Sequence, residues 1–207
     1  AIIENNGQVH IFSDFNSKQR IIDRQRINFH PAHHIQNYIK SCSKNNKFLV
    51  DRNTIPANFV GLIKTTSKIQ LIDDVIQNFK SIRNKSEING LRDCHIRDGA
   101  ALTKSIYWLK KNIDKKKITE LDASNLIDRN RKKGKYFHSL SFPTISGTGP
   151  NAAIVHYRVT KKTNRLIRKR DILLIDSGAQ YLDGTTDITR SIAFTSQNKE
   201  RKEMYTK

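Results

Sequence analysis

Sulfur is scarce in this sequence: two cysteines, Cys42 and Cys94, and one methionine stand among 207 residues. Two cysteines allow one disulfide at most, and no Cys-x-x-Cys occurs, so a disulfide-stapled scaffold is excluded and reduced thiols are expected. Long apolar runs are missing too. Ala152 to Val155 and Ile172 to Ile175 fall far short of the roughly 20 residues of a membrane-spanning helix. The opening Ala1-Ile2-Ile3-Glu4-Asn5-Asn6 has no basic segment leading into an apolar core, so it does not read as a signal peptide. A cytoplasmic setting without membrane attachment is expected. The chain begins with Ala rather than Met and is read as a fragment or a processed form.

Acidic residues are few. Asp and Glu number 19 against 38 Lys and Arg, a formal charge of +19, with 36% hydrophobic residues and a mean hydropathy of −0.63. Such a charge favours non-specific contact with phosphates. Here the basic residues are spread over Lys18 to Arg26, Lys40 to Lys47, Lys110 to Lys117, Arg129 to Lys135, Lys161 to Arg170 and Lys199 to Lys207. No recognition helix, zinc finger or ribonucleoprotein motif accompanies them. The richness in Ile, Asn and Lys is read as compositional bias, and nucleic acid is not the expected partner.

What is present is an alternation of strand and helix signals. Asn5-Asn6-Gly7 is a turn signal between Ala1–Ile3 and Val9–Phe12. Ile35, Tyr38 and Ile39 predict a short amphipathic helix, Lys47–Asp51 a strand, Ile55–Ile63 a helix with Pro56 in its first turn, and Lys68–Asp73 a strand. The histidines other than His156, including His33 and His34, read as surface or loop residues. Residues 1–82 thus read as a small α/β unit. From Ser86, expected as a cap, Ile88, Leu91, Ile96, Leu102, Ile106 and Leu109 trace a helical stripe, with a predicted interruption near Asp98-Gly99. Thr119 caps a second helix, with Asp122 at the third helical position. Beyond Phe137 strands dominate: Ala153–Tyr157, Asp171–Asp176 and Thr186–Phe194 are expected as strands, and Asn198 onward as a helix.

Three residues stand out chemically. Asp176 ends one apolar strand and Asp187 begins the next, and hard divalent cations favour such carboxylates. A tight turn centred on Asp183-Gly184 would set Asp176 opposite Ser191. Direct opposition of the two aspartates, with Cβ atoms roughly 5 Å apart, needs a loop centred near Tyr181-Leu182 or a bulge. His156, on its expected strand, is either a core histidine or a donor to a substrate carbonyl. Gly147-Thr-Gly-Pro-Asn lacks the Lys-Ser/Thr and the strand–loop–helix context of a phosphate loop, so no ATP site is read there.

Ser141-Phe-Pro-Thr-Ile-Ser-Gly-Thr-Gly-Pro-Asn-Ala-Ala-Ile-Val-His-Tyr and Leu174-Ile-Asp-Ser-Gly-Ala-Gln-Tyr-Leu-Asp-Gly-Thr-Thr-Asp-Ile-Thr-Arg together resemble aminopeptidase P, the Xaa-Pro aminopeptidases of the creatinase and methionine aminopeptidase superfamily. The resemblance implies an α/β (α+β) architecture. Residues 1–82 would be the C-terminal part of a creatinase-like middle domain, and residues 83–207 the N-terminal portion of an incomplete pita-bread metallopeptidase domain. It implies Asp176 and Asp187 as metal ligands and His156 as a catalytic group in the substrate pocket. Two divalent ions are implied, manganese first, with zinc or cobalt as alternatives. The implied substrate is a peptide with proline in second position, cleaved before the proline. A His and two Glu that complete the family's ligand set lie beyond residue 207 in the pattern, so the isolated chain is expected to be inactive. A homodimer or a separate C-terminal half is the implied partner. Two other readings stand beside it: a non-catalytic pita-bread module that binds protein or nucleic acid, and a split or decayed gene product.

Overall fold

The computed structural model describes residues 1–14, 26–42 and 45–206. The basic stretch around Lys18 and the apolar Ile21 and Ile22 lie outside the described residues, as does Lys207. The chain divides into two compact units, Ala1–Ile82 and Arg83–Lys207.

In the first unit β1 (Ile2–Ile3) pairs antiparallel with β2 (Val9–Phe12), turning through Gly7 at φ 86°. β2 also pairs in parallel with β3 (Ile27–His30), a strand that the mixed apolar spacing there does not announce. His10 and His30 are half-buried in this pair rather than in loops. His10 Nδ1 lies 3.0 Å from His30 Nε2, and Tyr38 of α1 (Ile35–Ser41) packs against the His10 ring. β4 (Lys47–Asp51), α2 (Ala57–Thr66) and β5 (Lys68–Ile72) form a parallel βαβ unit, in which the helix supplies the crossover that parallel strands require. α3 (Val75–Ser81) closes the unit.

The second unit begins with α4 (Lys85–Asn112), 28 residues capped by Asn84 and not by Ser86: Asn84 and Glu87 form a reciprocal capping box. The helix runs unbroken through Gly99, where an added Cβ would meet nothing within 4 Å. Asp98, the apparent break in the apolar stripe, is instead buried against Arg131. α5 (Glu120–Lys132) carries the expected Thr119–Asp122 capping box. Against these helices lies the antiparallel sheet β11-β8-β7, formed by β7 (Ile145–Thr148), β8 (Ile172–Ser177) and β11 (Ile188–Ala193). A second sheet, β10-β9-β6, comprises β6 (Phe137–Leu140), β9 (Ala179–Tyr181) and β10 (Gly184–Thr185). The expected strand from Thr186 to Phe194 is observed as the shorter β11, and Thr186 and Asp187 form the break that separates it from β10. α6 (Lys199–Thr206) ends the described chain.

The core between helices and sheet holds Leu102, Leu109, Ile118, Ala123, Ile127, Leu173, Ile175 and Ile192. Each such aliphatic side chain larger than Ala contributes about 1.5–3 kcal/mol on burial. β8 alternates accordingly: Leu173, Ile175 and Ser177 face the helices, while Ile172, Leu174 and Asp176 occupy the half-buried opposite face.

Candidate metal and substrate site

Asp176 and Asp187 belong to one bent hairpin. β9 and β10 close through the two-residue turn Leu182-Asp183, with Tyr181 opposite Gly184. This register sets Asp176 opposite Thr189, neither opposite Ser191 nor opposite Asp187. Extending the β11 ladder by one residue sets Asp187 against Gly178, diagonal to Asp176 and on the same face. Diagonal neighbours in an antiparallel pair lie roughly 7–8 Å apart, so the expected direct opposition is replaced by a wider arrangement.

The sequence forces the bend at Gly178. A Cβ there would collide with the Thr186 carbonyl oxygen and with Ser141 Oγ, and Ser141 Oγ donates to that same carbonyl at 3.0 Å. Only glycine lets the two strands close at this step, and the close approach sets the spacing of the aspartates on either side. Thr186, buried, stitches the step by donating its backbone N–H to the Ala179 carbonyl at 2.9 Å.

Thr189 Oγ1 donates to Asp176 Oδ1 at 2.9 Å. Asp187 is exposed. Among the described residues neither aspartate forms an ion pair, in a chain where cations outnumber anions two to one. Two unneutralised carboxylates on one open sheet face suit a hard divalent cation, whose charge would relieve their repulsion. The donor set of this chain stops there, because among the described residues no three His, Cys, Asp or Glu side chains converge as a metal cluster.

His156 is not on a strand. Gly149–Ala153 forms a 3-10 turn with Pro150 in its first turn, and Ile154 to His156 continue as bend and turn. Ile154 and Val155 are 52% and 82% exposed, so the β-branched residues that favour a strand find no sheet partner. His156 is exposed and left-handed, at φ 54°. That conformation costs a non-glycine residue roughly 1–2 kcal/mol. No hydrogen bond joins it to Asp176 or Asp187 among the described residues. The register thus sets the aspartates diagonally on one face of the hairpin, and His156 rides an anchored turn.

Reading the sequence alone misses that anchor. Glu120 is fully buried and accepts from Thr148 N at 2.7 Å, Arg165 N at 3.0 Å, Tyr157 Oη at 3.0 Å and Asn151 Nδ2 at 3.1 Å. Glu120 looks in sequence like any first-turn acid favoured by the helix dipole. Its partners lie 28 to 45 residues away, and no local signal marks them.

The sequence pattern of metallopeptidase family M24 matches residues 89–207, more than half of the chain. A protein of Paracoccidioides brasiliensis named "Probable Xaa-Pro aminopeptidase P" is 45% identical over 142 residues, covering 68% of this chain and 23% of the relative. Its namesake in Ajellomyces dermatitidis is 44% identical over 140 residues, covering 67% and 23%. Among solved structures, the X-prolyl aminopeptidase of Caenorhabditis elegans, described as a cytosolic enzyme with a di-nuclear active site, aligns with a TM-score of 0.79 at 31% identity, over 93% of this chain and 33% of that one. The prolidase of Pyrococcus horikoshii shares the fold, with a TM-score of 0.67 at 20% identity over 87% of this chain and 49% of that one. The chain spans about a quarter of the length of the fungal relatives.

Proposed function

The chain belongs to metallopeptidase family M24, and from that premise we propose that it forms part of a metal-dependent aminopeptidase that releases the N-terminal residue preceding proline. The observation that carries this reading is the pair Asp176 and Asp187, held on one sheet face by the Gly178 step and without cationic partners among the described residues. The 45% identity to a relative named for Xaa-Pro cleavage supports the substrate class: a peptide with proline in second position.

In this reading Asp176 and Asp187 would contribute ligands to two divalent ions, manganese first, with zinc or cobalt as alternatives. Such ions, when bound, supply Lewis acidity for the scissile carbonyl. Thr189 keeps Asp176 oriented by donating to Oδ1, and Oδ2 would face the metal. His156 presents an imidazole N–H to the substrate carbonyl or to the charge that develops on it. The remaining ligands come from residues outside this chain, in the same polypeptide, in a separate C-terminal half, or across a homodimer. The 207 residues alone are then inactive. The cytosolic description of the nematode relative supports a cytoplasmic location.

The test is hydrolysis of an Xaa-Pro-Xaa peptide with added Mn²⁺. It compares this chain with the full-length protein that contains it, and uses Asp187→Ala as the control. Full-length activity should require the metal and should fall by about a hundredfold or more in the variant, at least the loss seen for outer-shell partners of metal ligands. The isolated chain should show none. Cleavage that ignores the metal or survives Asp187→Ala would overturn the reading.

A further inference from the structure

Glu120, the first residue of α5, has no exposed surface and no ion-pair partner among the described residues. A buried carboxylate is tolerable only when donors surround it. Its four donors come from the end of β7 (Thr148), from the 3-10 turn (Asn151), from the residue after His156 (Tyr157) and from the far end of the same loop (Arg165). One carboxylate therefore gathers both ends and the middle of the segment 148–165.

Tyr157 is the link to His156. Only 6% of it is exposed, and its hydroxyl receives Asn151 Nδ2 at 2.8 Å while lying 3.0 Å from Glu120 Oε2. The Thr163 carbonyl oxygen lies 3.1 Å from the same hydroxyl. Burial raises the phenol's pKa, so it remains a donor. On the other side the Ile154 and Val155 side chains are exposed, and only the Ile154 backbone is held: its N–H donates to the Asn151 carbonyl and its carbonyl accepts from Tyr157 N, each at 3.2 Å. A left-handed non-glycine residue persists only where its surroundings over-determine it; at His156 those surroundings are the turn closed by Tyr157 N on the Ile154 carbonyl and the buried Tyr157 side chain that fixes the end of that turn.

We propose that Glu120 and Tyr157 are positioning residues for His156: the buried carboxylate holds the tyrosine hydroxyl, and that anchor holds the adjacent histidine backbone in the conformation that presents its imidazole to substrate. The inference rests on the reading of His156 as a substrate-contacting group.

The experiment is a double-mutant cycle in the Mn²⁺-loaded full-length protein, with Tyr157→Phe, His156→Ala and the pair. Tyr157→Phe should lower kcat by roughly tenfold or more with little change in KM, as expected for a misplaced reacting group. In the His156→Ala background the same substitution should cost nothing further. Equal losses in both backgrounds, or no loss in the first, would mean that Tyr157 does not act through His156 and would overturn the inference. A silent His156→Ala would overturn the reading beneath it as well. Glu120→Gln should reproduce the background dependence of Tyr157→Phe. Where it fails to fold, Tyr157→Phe, which keeps the ring and removes one hydroxyl, carries the test.

Discussion

Asp98 and Arg131 show how far a single residue's role depends on what reaches it from a distance. Arg131 donates Nε and Nη2 to Asp98 at 2.7 and 2.8 Å, and neither side chain has exposed surface. Tyr181 Oη donates to Asp98 at 2.7 Å, and burial together with that bond drives the phenol's pKa well above its ordinary range. Arg131 Nη2 also reaches the Ser177 carbonyl at 3.3 Å, one residue from Asp176, which ties α5 to the strand that carries the candidate ligand. Arg131→Met would leave the Asp98 carboxylate buried without its cation and should lower unfolding stability by about 3–5 kcal/mol in denaturant titration. Asp98→Leu combined with Arg131→Met should recover most of that loss, because a buried pair is often no more stabilising than the apolar residues that replace it. A loss below about 1 kcal/mol in the single variant would mean that solvent reaches the pair. In sequence, Asp98 beside Gly99 reads as a break in a helix. Its partner 33 residues on is invisible to periodicity.

At the scale of elements, long periodic segments are legible and short apolar ones are not. The α4 stripe and the Thr119–Asp122 box of α5 follow from spacing and capping chemistry within a few residues. Ile154-Val155-His156-Tyr157 has the composition of a strand, yet Tyr157 is drawn into the Glu120 cluster and no partner strand is offered. The hairpin register belongs to the same class. The sequence offers turns centred on Asp183-Gly184 or near Tyr181-Leu182, and the observed Leu182-Asp183 turn lies between them, its register fixed where Gly178 passes against Thr186 and Ser141. Gly178→Ala should therefore cost about 1–3 kcal/mol or more in stability, as overpacking does. It should also weaken Mn²⁺ binding to the full-length protein in calorimetric titration by changing the spacing of Asp176 and Asp187. Unchanged affinity together with unchanged stability would show that the step relaxes without moving them.

For the molecule as a whole, charge is the dominant feature. Nineteen acidic side chains cannot pair 38 basic ones, so at least half of the cations lack an acidic partner and repel one another. Net charge of this size destabilises a compact state. Raising the salt from about 10 mM to about 150 mM shortens the screening length from about 30 Å to about 8 Å. The thermal midpoint of the chain should therefore rise over that range. A midpoint that falls with salt would mean that favourable ion pairs, such as Arg97 with Asp183 at 2.6 Å, outweigh the repulsion.

The sequence by itself determined the mixed α/β class, the Thr119 cap of α5, the family, and Asp176 and Asp187 as the carboxylates worth following, because each rests on neighbours along the chain or on a long motif. Only the tertiary structure decided that the aspartates sit diagonally on a bent hairpin, that His156 rides a left-handed turn, and that Glu120 and Asp98 are buried anchors. Those outcomes depend on contacts between segments tens of residues apart, where a backbone carbonyl, a missing Cβ or one carboxylate with four donors overrides local preference.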